Sequence, residues 1–267
     1  MSQLKMNFVM GMLVLFGLAG TAFADTDASD CANASNEDVK HLCILADNGN
    51  DKAQVALAIM YDEGHDLPQS DTKAAKWFKR AAEQGNADAQ YIIGVMYAEG
   101  RGVPQSDVEA VKWYKLAAAK GQAYAQSNLG FMYADGRGIR QSDIEAAKWF
   151  RMAADQGDSY AQYNLGVMYD EGRGVPQSYT EAAKWFILAA EQGDIDAQLN
   201  LAIMYSEGRG VPQSDIYAHM WFNLAAAQGD SEAREGREQV AQKMTQAQIV
   251  EAQNLASECL AKEYTGC

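Results

Sequence analysis

Histidine, proline and cysteine are scarce in this 267-residue chain, at three, four and four respectively. So few histidines and cysteines leave little material for a metal centre or a nucleophile, and no cofactor is expected. Basic side chains are the other shortage: 22 Lys and Arg face 36 Asp and Glu, a formal net charge of −14. Nucleic acid is thereby excluded as a partner, because binding it depends on cationic side chains displacing counterions from phosphates. An anionic membrane surface is disfavoured for the same reason. What is present is enough to fold, since 48% of the residues are hydrophobic and 10% aromatic, far from the composition of a disordered chain.

The first residues read as an address. Lys5 precedes an apolar run, Phe8 to Ala19, and Ala22-Phe23-Ala24 follows with small residues at its first and third places. This is the order of a secretory signal peptide over residues 1–24, with cleavage expected after Ala24. The run is short of the ~20 residues that a bilayer-spanning helix needs, so no stable membrane insertion is expected after cleavage. Removing the segment takes Lys5 with it and shifts the net charge to −15. Export places the chain in the periplasm or outside the cell, where disulfides persist. Four cysteines allow three pairings; proximity favours local bridges, Cys31 with Cys43 and Cys259 with Cys267.

A period of 36 residues organises the rest. Trp77, Trp113, Trp149, Trp185 and Trp221 keep it, as do Tyr61, Tyr97, Tyr133, Tyr169 and Tyr205, each preceded by methionine. Five units follow: 51–86, 87–122, 123–158, 159–194 and 195–230. Residues 25–50 make an N-terminal capping half-repeat, and 231–267 degenerate C-terminal capping helices. Each unit reads as two helices. In the second, Ala89, Ile93, Met96 and Tyr97 fall on one helical stripe, and Ala110, Trp113, Tyr114, Ala117 and Ala118 on another. Between them Gly100-Arg101-Gly102-Val103-Pro104 ends one helix and turns the chain back. Ser106 with Glu109, Ser142 with Glu145 and Ser178 with Glu181 have capping-box spacing. The alanine pairs ending at Ala82, Ala118, Ala154, Ala190 and Ala226 remove bulk, so that helices can approach closely. One helical pair cannot bury both its stripes, so an all-α solenoid of stacked αα-hairpins, a right-handed superhelix, is expected.

These residues resemble the Sel-one-like repeat family, an αα relative of the tetratricopeptide repeat. The unit Ala161-Gln162-Tyr163-Asn164-Leu165-Gly166-Val167-Met168-Tyr169, then Gly172-Arg173-Gly174-Val175-Pro176-Gln177, Lys184-Trp185-Phe186, Ala189-Ala190 and Gln192-Gly193 carries the resemblance. Departures are His65-Asp66 in the first unit, Arg140 in the third and Met220 in the fifth, all expected to alter local loops rather than the fold. The resemblance implies an interaction scaffold whose first helices line a concave face, in envelope or host-interaction processes. A monomer with a protein or peptide partner is expected.

On that face Asn128, Asn164 and Asn200 form a polar column, with Tyr91 and Tyr163 one place before it. Asparagine amides there can bond an extended peptide while tyrosines supply rigid contact; alternatively the column bonds neighbouring helices as part of the fold. Arg101, Arg137, Arg173 and Arg209 form a second column, read either as a basic stripe or as arginines tied to the acid two places earlier. Ser70-Asp71-Thr72-Lys73 fits the S-x-x-K pattern of serine β-lactamases. An alternative function is therefore binding of a β-lactam or peptidoglycan fragment, with weak or no hydrolase activity. Yet Ser70 shares its repeat position with the capping Ser106, Ser142, Ser178 and Ser214, and K-T-G and S-D-N partners are missing. No catalytic residue and no metal site is expected, since His41, His65 and His219 share no repeat position.

Overall fold

The computed structural model of the protein describes residues 36–267, which form thirteen α-helices and no strand. The chain divides into two compact units, Met1–Gln122 and Ala123–Cys267. In the first, α1 (Glu37–Asp47) precedes two helical hairpins, α2 (Asp51–Glu63) with α3 (Asp71–Glu83) and α4 (Ala87–Glu99) with α5 (Asp107–Ala118). The second holds three hairpins: α6 (Ala123–Asp135) with α7 (Asp143–Ala154), α8 (Ser159–Glu171) with α9 (Tyr179–Ala190), and α10 (Ile195–Glu207) with α11 (Asp215–Ala227). It closes on α12 (Ser231–Ala241) and α13 (Gln246–Ala261). Within each unit consecutive helices pack on one another as far as α12, and α13 packs back on α11, so this is an all-α repeat fold. Residues 1–24, expected to be a signal peptide, and Cys31 lie outside the described residues.

Each hairpin is built by the same local devices. An Asn or Asp side chain opens the first helix: Asn86 accepts from the Ala89 N–H at 3.0 Å and Asp158 from Ala161 at 2.7 Å, satisfying amides that have no helical partner. The helix ends on a left-handed glycine, such as Gly172 at φ 72°, after which the Arg173 N–H bonds the Met168 carbonyl at 3.0 Å. Gln177 folds back from the loop to donate to Asp170 O at 2.7 Å, and the Ser178 N–H reaches Tyr169 O at 2.9 Å, closing the loop. Ser178 Oγ then accepts from the Glu181 N–H at 3.3 Å and opens the second helix.

The reciprocal half of the expected capping boxes is not made at these sites. Glu145 and Glu181 turn instead to Lys148 and Lys184, each 2.6 Å away one turn on, because a charged partner competes better for the carboxylate than a backbone amide does. A complete capping box occurs at α13, between Thr245 and Gln248.

The core of a hairpin is a seam of small and aromatic residues. Gly94, Gly130 and Gly166 lie against Tyr114, Phe150 and Phe186, where an added Cβ would stand 2.7 Å from the ring. Those rings are buried, whereas the tryptophans before them, Trp113, Trp149 and Trp185, are only half-buried. A column of buried glutamines stitches one hairpin to the last. Gln54, Gln90, Gln162 and Gln198 donate Nε2–H to the carbonyls of Ala46, Ala82, Ala154 and Ala190 at 2.9–3.2 Å.

The C-terminal cap explains the departure at Met220. Here α13 lies along α11, and Met220 is 1% exposed in a core shared with Val240, Ala256 and Cys259. The lysine at this position in α7, Lys148, is 62% exposed. Met220 is thus a packing residue and not a loop variation. Cys259 and Cys267 form a disulfide across the end of α13, their Cα atoms 5.3 Å apart.

Candidate functional site

Within the second unit the first helices α6, α8 and α10 touch through side chains. Phe131 of α6 meets Tyr160 of α8 with ring centroids 4.8 Å apart, and Phe131 also meets Phe150 edge-on at 4.9 Å. One helix further, the Tyr163 phenol of α8 faces the side-chain amide of Asn200 on α10. Burial raises the Tyr163 pKa above the ordinary tyrosine value; the carboxylates of Asp196, Asp194 and Glu171 act in the same direction, and the Asn200 amide opposes them. The Tyr163 ring rests 5.9 Å from Phe186, which fixes its plane.

The asparagines are half-buried on this face. Asn164 and Asn200 each donate Nδ2–H to the carbonyl four residues back in their own helix, Tyr160 O and Asp196 O, both at 2.8 Å. This local bond orients the amide plane and consumes one of its two N–H donors, leaving the second N–H and the amide oxygen. Asn128 sits at the same position of α6, one turn before Phe131. The structure brings Tyr163, Asn164 and Asn200 together and puts Asn128 on the adjoining helix. Tyr91 belongs to the first unit, on α4, where its ring lies 6.2 Å from Tyr114.

Three residues of the face escape a reading of the asparagine column alone: Phe131, the exposed Tyr160 (55%) and Asp196. Their signal was the same 36-residue frame, in which Tyr124, Tyr160 and Asp196 share one position and Phe131, Val167 and Ile203 another.

Of the loop arginines, Arg101, Arg173 and Arg209 are tied to acids. Arg173 Nε lies 2.7 Å from Glu171, and Arg209 lies 3.6 Å from both Glu207 and Asp170. In the first unit Arg101 binds Asp62 of the preceding hairpin and Glu99 at 3.4 Å. The Arg101–Asp62 and Arg209–Asp170 pairs join the end of one first helix to the loop of the next hairpin, and the others each lie within one hairpin. Ser70 Oγ accepts from the Lys73 N–H at 3.4 Å as the cap of α3, and the Lys73 ammonium lies over the Tyr61 ring at 5.4 Å. Ser106, Ser142, Ser178 and Ser214 make the same capping bond at 3.3 Å. Among the described residues no group of three or more His, Cys, Asp or Glu is placed to hold a metal ion, and no helix is long and apolar enough to cross a membrane.

Five consecutive matches to the Sel1 repeat model cover residues 51–86, 87–122, 123–158, 159–194 and 195–230. The chain is a Sel1 repeat protein. Its fold is similar to that of c5321, a protective antigen of uropathogenic Escherichia coli displaying an SLR fold, at 38% identity over 84% of this chain, with a TM-score of 0.75. This Sel1 repeat chain spans about half of that antigen, 48% of its length. A Sel1 repeat protein from Oxalobacter formigenes is 35% identical over 76% of this chain and 84% of its own, with a TM-score of 0.70. No curated protein matches the chain. Sel1 repeats generally serve as scaffolds for protein–protein interaction and are typically non-catalytic.

Proposed function

We propose that this Sel1 repeat protein is an exported, monomeric adaptor that holds an extended segment of a partner protein along the first-helix face of its second unit. The observation that carries this reading is the continuous run of aromatic and amide side chains from Phe131 and Tyr160 through Tyr163 and Asn164 to Asn200. Rigid aromatics supply contact area at low entropic cost, and amides satisfy the backbone of an extended chain. Asn164 and Asn200 each spend one N–H within their own helix, and each keeps a carbonyl oxygen that can accept from a bound segment. Signal cleavage after Ala24 and bridges at both ends of the chain, Cys31 with Cys43 as well as Cys259 with Cys267, belong to the same reading.

The test replaces Asn128, Asn164 and Asn200 together with alanine. Capture of a partner from envelope extract should weaken by about tenfold or more, the loss of one or two hydrogen bonds to an ordered segment, while far-UV circular dichroism stays unchanged. Capture that survives the triple change removes the face from the interaction. The competing β-lactam or peptidoglycan-fragment reading is separated by Ser70→Ala: the adaptor reading expects partner capture to be unaffected and no antibiotic turnover to be lost.

A further inference from the structure

The second unit sorts its charges by helix. The first helices α6, α8 and α10 contain no lysine or arginine; their ionisable carboxylates are Asp135, Asp170, Glu171, Asp196 and Glu207, and Asp158 and Asp194 cap α8 and α10. The cations of these hairpins stand elsewhere, on α7 (Lys148, Arg151), on α9 (Lys184) and in the loops. Two of the loop arginines are spent locally, Arg173 on Glu171 and Arg209 on Glu207 and Asp170, and Arg140 stands exposed in the loop between α6 and α7. Asp196, in the first turn of α10, is exposed and in no ion pair among the described residues. It lies beside Tyr163, whose phenol senses its charge.

The amides are compatible with this charge pattern. Asn164 and Asn200 have each turned one N–H inward to Tyr160 O and Asp196 O, which leaves each carbonyl oxygen able to accept from a ligand's backbone N–H. Tyrosine rings add negative π-faces, and Tyr160 is held with its ring accessible by Phe131 beneath it. Amide oxygens, π-faces and an unpaired carboxylate thus occupy first helices that carry no lysine or arginine, which is the complement of a positively charged ligand.

Resting on the proposed peptide-binding role, we infer that the segment bound by α6, α8 and α10 is cationic: an extended peptide whose Lys or Arg side chains lie over Tyr160 and Tyr163 and pair with Asp196, its backbone N–H groups donating to Asn164 and Asn200. A surface used by an acidic segment would need cations where this one has carboxylates.

A random peptide library displayed on phage and selected against the full purified chain at low salt tests this. Selected peptides should carry a net positive charge and should weaken by roughly tenfold with Tyr160→Ala, where one cation–π contact and its burial are lost. Asp196→Lys should weaken them further, by placing like charge beside the peptide, and binding should fall as salt is raised. Circular dichroism of both variants monitors folding, and the two changes at exposed positions are independent of one another. Neutral or acidic peptides whose binding still depends on Tyr160 would overturn the cationic assignment and leave the face intact. Selected peptides indifferent to Tyr160, Asp196 and the asparagine triple variant, or no enrichment at all, would overturn the assignment and the peptide-binding role together.

Discussion

Gln192 donates a side-chain N–H to Gln162 at 2.7 Å, and Gln162 in turn donates to the Ala154 carbonyl of the preceding hairpin at 3.2 Å. The same two-step relay runs from Gln84 through Gln54 to Ala46 O and from Gln228 through Gln198 to Ala190 O. It lets one buried side chain satisfy both its donor and its acceptor while tying the end of a helix to the next turn of the repeat. The exception is Gln90, whose Oε1 is buried without a partner because Lys120 stands where the other repeats have glutamine.

Lys120→Gln should therefore stabilise the protein. Pairing a buried acceptor adds about 0.5–1.5 kcal/mol, read as a rise in the urea midpoint at unchanged slope. Gln162→Leu should act in the opposite direction by about 1–2 kcal/mol, since it removes two side-chain hydrogen bonds and leaves Ala154 O with the Gly157 N–H alone and Gln192 with Leu188 O alone. A Lys120→Gln protein no more stable than its parent would mean that the Gln90 oxygen is satisfied by water.

The second glycine of the loop is set by contact between successive hairpins. At Gly174, φ is 68° and an added Cβ would stand 2.2 Å from the Asp143 carbonyl oxygen, at the start of α7. Gly157 has φ 92° with nothing within 4 Å. Gly157→Ala should cost ~1–2 kcal/mol for the left-handed backbone alone. Gly174→Ala should cost that plus the displacement of one hairpin from the next, at least ~3 kcal/mol in all. Thermal melts of the two variants give the difference directly; equal losses would show that the hairpins slide past the obstruction freely.

Much of this architecture was legible because it is periodic, and its gaps have physical reasons. The tryptophans mark the period, but the deepest ring is the next residue: Phe150 and Phe186 fill the seam opposite Gly130 and Gly166, and Trp149 and Trp185 stay half-buried. Frequency along a chain reports the repeat, whereas burial depends on which side of the helix meets its neighbour. The glutamine column keeps the same frame as the tryptophans and still reads as surface, because a polar side chain is expected outside unless its partners are known. Those partners, Ala154 O and Gln192, are eight and thirty residues from Gln162. The asparagine column was visible, while its pairing with Tyr163 across two helices and its addition of Phe131, Tyr160 and Asp196 needed the spatial neighbours of each first helix.

Met220 provides a test of the C-terminal cap. Met220→Lys restores the residue that α7 and α9 carry, yet it places an ammonium in the closed core beneath α13. The loss should be several kcal/mol, on the order of 3 or more, as for other unpaired charges put into an apolar core. The reverse exchange on α7, Lys148→Met, concerns a side chain 62% exposed and an i,i+3 pair with Glu145; it should stay within ~0.5 kcal/mol. Limited proteolysis should then release α13 in the Met220→Lys protein and leave it protected in the Lys148→Met protein.

His219, the neighbour of Met220, makes the same cap sensitive to acid. It replaces the alanine found at Ala147 and Ala183, it is buried, and its Nδ1 has no partner. Burial lowers its pKa below the ordinary 6.5, and the nearby Arg237 guanidinium, itself bonded to Asn223, lowers it further. The unfolded chain therefore takes up a proton at a higher pH than the folded one does. Stability from this residue is fully present above the ordinary histidine value and is lost as pH falls through that value towards the folded pKa. Between about pH 7.5 and pH 5.5 the melting temperature should fall more steeply in the parent than in His219→Ala, whose side chain cannot titrate. Arg237→Gln separates the two causes, because removing the cation should reduce the acid sensitivity only in part while burial still opposes the charged imidazole. Parallel pH profiles for the parent and His219→Ala would show that the imidazole is solvated in the folded protein and that the cap does not respond to acid through this residue.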